Sequence, residues 1–195
     1  MKIHTFVLSL ALMFPVVALN GADVSFTGPT VFEDAGDVLN NGTDVIAMNV
    51  HAQTFPRAVI LNGVDFLDTV QDATTSKTES SGGVTAAISG GEKFGTSAGP
   101  YSAPVAQIAN SFLYSPAGGS MEIELSGLTP GQQYQIQIFN FQTTPAASRE
   151  QTVSNGSEGG SGSIGPYAYV DTPEKRMTSV VGTWTADSPT QVFRV

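Results

Sequence analysis

Glu122 and Glu124 stand two apart in Met121-Glu-Ile-Glu-Leu125. The stretch reads as a strand, so both carboxylates project to one side. Glycoside hydrolysis needs two carboxylates about 5–10 Å apart, and same-face strand neighbours lie near the lower limit. A sandwich glycosidase would carry a third acid further along, whereas Ser126, Gly127 and Leu128 follow here. The pair therefore reads as a solvated face opposite Met121, Ile123 and Leu125. Nucleophilic chemistry is no better supplied. Apart from His4 near the N-terminus the chain has one histidine, His51, with no Gly-x-Ser-x-Gly elbow to serve. It has no cysteine, which excludes thiolate nucleophiles, cysteine-ligated zinc and disulfides. No catalytic residue is assigned, and the expectation is a protein that is not an enzyme.

Binding chemistry is better represented. Glu33, Asp34 and Asp37 surround a glycine in Glu-Asp-Ala-Gly-Asp, and a calcium ion takes about six to eight oxygen ligands from such loops. The stretch does not match an EF-hand loop. Solvated acids are the plain reading, and a structural calcium at Glu33, Asp34 and Asp37 is the metal site expected if one exists. Asp65, Asp68 and Asp72 form a second acidic stretch. Sugar rings stack on exposed aromatics, and Tyr101, Tyr114, Tyr167 and Tyr169 are the candidates. Tyr167 and Tyr169 share one side of Gly-Pro-Tyr-Ala-Tyr-Val-Asp and form the best pair; edge-strand tyrosines are the alternative. Arg149 reads equally as half of a buried ion pair or as an arm into a binding cleft. Trp184 alternates with Val180 and Gly182 and reads as core.

The elements that position these residues are short strands punctuated by turns. Asp44–Val50 is apolar on both faces for part of its length, the pattern of a central strand. Arg57–Phe66 places Asn62-Gly63 between two β-rich runs, the signal of a type I′ hairpin. Residues 68–100 are irregular apart from Val84–Ser89, and Asn155–Gly165 is loose. Ser126–Phe141 runs from a Thr-Pro-Gly turn into a strand with Tyr134, Ile136 and Ile138 on one side. Tyr134 is expected to pin the corner and the isoleucines to fill a core. The ending, Thr190–Val195, looks like a strand in progress, so it lies at a sheet edge or the chain is cut short; truncation is the favoured reading. No stretch reads as a convincing helix. This pattern predicts an all-β fold, an antiparallel β-sandwich of jelly-roll type.

A leader precedes the domain. Lys2 and His4 are followed by the apolar run Phe6–Leu19 and then by Asn-Gly-Ala-Asp, the three-part plan of a signal peptide and too short for a membrane span. Residues 1–22 are read as the signal and 23–195 as a single domain, with cleavage after Ala22 despite the large Asn20 three residues before the cut. The full chain has a net charge of −9, and loss of Lys2 makes the mature domain one charge more negative. Such a surface repels nucleic acid and anionic lipid.

The order Asp44–Val50, Val59–Phe66, Leu125–Phe141, Arg149 and Val180–Val195 resembles exported bacterial β-sandwich proteins of the PEP-CTERM-sorted type. These envelope proteins are themselves similar to jelly-roll carbohydrate-binding modules. Trp184 stands where that group usually has Phe, and its sorting tail is lacking. The resemblance implies a secreted or cell-surface module, with polysaccharide or an envelope component as partner and no transmembrane segment in the mature chain. Tyr167, Tyr169, Arg149 and Tyr114 are the ligand-binding candidates. Leu128-Thr-Pro-Gly-Gln-Gln-Tyr134 also matches the tyrosine corner of fibronectin type III sandwiches, which is the alternative fold. A structural envelope protein without a small ligand is the alternative function, and a glycoside-acting hydrolase the third.

Overall fold

A computed structural model describes residues 21–42, 46–51, 59–70, 77–95, 100–109, 111–114, 119–140, 150–168, 170–171 and 176–195. The strands are numbered in chain order: β1 (Ser25–Val31), β2 (Ala47–His51), β3 (Val59–Leu61), β4 (Val64–Val70) and β5 (Lys77–Ser81). Next come β6 (Val84–Ser89), β7 (Glu92–Gly95), β8 (Ser111–Tyr114), β9 (Glu122–Ser126) and β10 (Gln133–Asn140). The last are β11 (Glu150–Asn155), β12 (Ser163–Ala168), β13 (Val170–Asp171), β14 (Arg176–Thr185) and β15 (Thr190–Arg194). A 3₁₀ turn covers Ala35–Asp37 and a short helix, α1, covers Val105–Ala109.

The protein is an all-β sandwich. One sheet runs β1-β14-β10, with β13 added to the start of β14; the facing sheet runs β12-β11-β15-β9-β6-β5, and every pairing within both is antiparallel. Six strands make that sheet wider than either sheet of a constant-type immunoglobulin sandwich. The core between the two follows from period-two alternation. Phe26, Tyr134, Ile136 and Trp184 from the first sheet meet Ile123, Leu125 and Phe193 from the second. Val153, Tyr167 and Val180 continue the same layer. Trp184 stacks on Tyr134 at 5.7 Å between ring centroids and meets the Phe193 ring edge-on at 5.2 Å.

A second apolar cluster covers the other face of the first sheet. Phe32, Phe139 and Met177 pack there against Val59, Leu61, Val64 and Phe66 of a small sheet ordered β2-β4-β3. β14 is thus covered on both faces along its first half, with Met177 to Val180 all buried. It takes the central role expected of Asp44–Val50. β2 instead lies at an edge and pairs parallel with β4, because its partner is reached by a crossover through β3.

Local turn chemistry is as the residue types require. Asn62 and Gly63 adopt φ of 49° and 78°, the positive pair of a type I′ turn. The Tyr134 hydroxyl accepts the Thr129 backbone N–H at 2.9 Å and pins the entry to β10. One expectation fails, and one of the two alternatives for the ending is set aside. Residues 77–95 form β5, β6 and β7 rather than one strand in a loose excursion. β15 lies inside its sheet, between β11 and β9, not at an edge.

Candidate functional site

The acidic turn is held by its own carboxylates. Asp34 caps the 3₁₀ turn, its Oδ1 accepting the Gly36 N–H at 2.7 Å, and Asp37 Oδ2 reaches back to accept the Glu33 N–H at 2.6 Å and the Asp34 N–H at 3.2 Å. This is a capping box, in which side-chain oxygens satisfy the orphan N–H groups that begin a helical turn. Glu33 turns away to form an ion pair with Arg176. The Asn62 side chain then ties the turn to the β3–β4 hairpin, donating to the Val38 carbonyl at 2.7 Å. Glu33, Asp34 and Asp37 therefore do not converge on one point. Among the described residues no group of three acids or histidines could hold a metal ion. In the structure the oxygens of these three residues serve backbone and guanidinium.

Tyr167 also belongs to the scaffold. Its ring is 7% exposed and packs with Val153 and Val180, and its hydroxyl accepts the Asn140 side-chain N–H at 2.8 Å. The side that β12 gives Tyr167 is the sandwich interior. A ring in that place has no face to offer a sugar, so Tyr167 is withdrawn from the ligand-binding set. Tyr101 is similarly engaged. Its hydroxyl accepts the Met177 N–H at 2.7 Å and donates to the Phe32 carbonyl at 2.6 Å, tying the end of β1 to the start of β14. Arg149 and Tyr169 lie outside the described residues, and of Tyr114 only the backbone, closing β8 opposite Glu92, is described.

Glu122 and Glu124 do share a face, directed to solvent. Glu122 accepts from Arg194 Nε at 3.0 Å across the β9–β15 pair, with both side chains about half exposed. A screened pair of this kind contributes little to stability. It is a surface contact rather than half of an acid–base couple.

The site that sequence reasoning missed is the rim of β10. All eight residues of this strand register with β14, from Gln133 opposite Thr185 to Asn140 opposite Thr178, and β10 pairs with no other described strand. Its outer side presents backbone N–H and C=O groups to whatever lies beside it. The strand reads Gln-Tyr-Gln-Ile-Gln-Ile-Phe-Asn, without charge, glycine or proline. The other edges of the two larger sheets are guarded. β1 carries Pro29 and a register break between Thr27 and Thr30; β12 carries Pro166 and faces a break between Gln151 and Val153; β5 carries Lys77 and Glu79. Proline, bulges and charge are the devices that stop edge-to-edge pairing. Gln137 stiffens the bare edge. Its side chain accepts the Leu39 N–H at 3.0 Å and donates to the Asp37 carbonyl at 2.9 Å. The signal was legible in principle, as an uncharged alternating octamer, but not its position at an edge.

The chain was compared with protein-family models, with curated proteins and with solved structures. None matches.

Proposed function

We propose that this chain is an exported, non-catalytic module of the cell surface that works by association, with the rim of β10 as its contact. One observation carries the reading: among the edges of the two larger sheets, β10 alone has neither charge nor proline nor register break. An open edge adds a strand by backbone hydrogen bonding, and the side chains choose the partner. A second copy of the same strand fits. Antiparallel pairing about a two-fold axis at Ile136 sets Tyr134 opposite the second copy's Ile138, and Gln135 opposite its Gln137. Apolar and glutamine faces then continue across the joint. A chain of net charge −9 meets itself most cheaply along a neutral strip.

The carbohydrate reading, which follows from the resemblance to PEP-CTERM-sorted envelope proteins, loses Tyr167 and now rests on Tyr169, Arg149 and Tyr114. Sedimentation of the purified exported chain at rising concentration separates the two. Association is expected in the wild type and is lost in Gln133→Lys/Gln135→Lys, both exposed positions, because the lysines would put like charges from both copies along the otherwise neutral joint. A wild type that stays monomeric, and whose melting temperature rises with a polysaccharide, would replace this reading with the carbohydrate one.

A further inference from the structure

The fold begins before Asp23. The Gly21 N–H donates to the Glu158 carbonyl at 2.6 Å, and the Ala22 carbonyl accepts from Asn155 Nδ2 at 2.6 Å. Ala22 is 6% exposed and packs in the same cluster as Val24, Leu128, Trp184 and Phe193. Gly21 has no room for a side chain, because a Cβ there would run into Ser157. The docking continues through Asp23 and Val24. Asp23 Oδ1 accepts from both the N–H and the hydroxyl of Ser161, and the Val24 N–H donates to the Ser161 carbonyl at 2.9 Å. Asn155 is the hub of this clasp. Its amide also donates to the Ser161 carbonyl, and its Oδ1 accepts from the Ser157 N–H and from the amide of Gln191, a side chain 1% exposed.

Cleavage after Ala22 would remove two of these docking bonds and the apolar contact of Ala22. It would also put a charged amine beside a donor, Asn155 Nδ2, that had lost one of its two acceptors. The same cut needs Asn20 at the third position before the scissile bond, where a signal peptidase takes a small residue. Four residues upstream the sequence Val16-Val-Ala18 sets a small residue at the cut and a compact one two before it. We propose that the export signal ends at Ala18, so that the mature chain starts at Leu19 and keeps Gly21 and Ala22 as the first docked residues of the domain. This rests on the export reading, which the experiment tests separately.

The full 1–195 chain would be expressed in a bacterium, recovered from the exported fraction, and its intact mass and N-terminal sequence determined. A product beginning at Leu19 is the expected result. A product beginning at Asp23, or an uncleaved exported product, overturns the proposal while leaving export intact; absence of the chain from the exported fraction overturns the export reading, and this proposal with it. The structural half is tested by comparing chains that begin at Leu19 and at Asp23. The shorter chain is expected to melt at least about 2–4 °C lower, the scale of one lost interaction in a protein of this size. Equal melting temperatures would show that Gly21 and Ala22 contribute nothing, and would overturn their role.

Discussion

Asp23 accepts two hydrogen bonds from Ser161, and they hold its carboxyl below the usual value of 3.8, the hydroxyl contributing most. A folded-state pKa below the unfolded one means that the ionised form is favoured by folding. The contribution is therefore complete above the ordinary carboxylate pKa and fades as pH falls through the lowered one. Wild type and Asp23→Asn should differ in melting temperature at neutral pH, and the gap should close on titration below about pH 4. Asp37 is tested differently. Asp37→Ala should cost about 1 kcal/mol, as loss of a cap does, and adding a chelator to the wild type should leave its melting curve unmoved. Trp184 carries a buried indole N–H without a hydrogen-bond partner among the described residues, a penalty of roughly 1–3 kcal/mol that Phe would not incur. Trp184→Phe should thus cost less than Phe193→Ala, for which about 3–5 kcal/mol is expected; denaturant melts of the two variants check the order.

At the scale of the element, β14 organises the molecule. It pairs with β1 on one side and β10 on the other, and Gly182 lies where three side chains close over the backbone. A Cβ there would meet Phe26, Ile136 and Val24 at 3.0–3.1 Å. Gly182→Val should destabilise by about 1–3 kcal/mol through overpacking, read as a lower denaturation midpoint at unchanged slope. Much of this element was legible. Alternation through Val180, Gly182 and Trp184 identified a core strand, and Asn62-Gly63 and Tyr134 announced their turns. What alternation cannot tell is which of two faces meets the opposite sheet when both carry aromatics. Tyr167 follows Pro166 in a strand whose only other large apolar residue is Ile164, and its neighbours Val153 and Val180 show that its side is the interior. Polar strands leave still less trace. Lys77–Ser81 becomes β5 because β6 offers it a backbone edge, not because its own residues demand it. The acidic turn has internal bonds that its composition does not announce. Composition counts carboxylates as free oxygens, whereas Asp34 and Asp37 give theirs to backbone N–H groups two to four residues away.

For the whole molecule, the distribution of guards along the sheet edges matters more than any single side chain. Sequence alone gave an all-β sandwich, yet strand order is a long-range property. The interior place of β15 and the edge place of β10 depend on partners roughly 40 to 70 residues distant along the chain, such as Ile138 opposite Val180 and Phe193 opposite Ile123, for strands of quite ordinary composition. An acidic body joined through a neutral strip has a salt dependence of definite sign. Added salt screens the repulsion between bodies without weakening the strip, so association should tighten, and sedimentation at low and high ionic strength measures it. Salt-induced dissociation would point to an ionic contact elsewhere.

The most direct measurement is amide hydrogen exchange of the purified chain, followed residue by residue at low and at high protein concentration. If β10 joins copies of the chain, amides within Gln133–Asn140 that face away from β14 gain protection as concentration rises, while those of β1, β5 and β12 do not. Exchange in β10 that is independent of concentration, or protection that grows at another edge instead, would contradict the account.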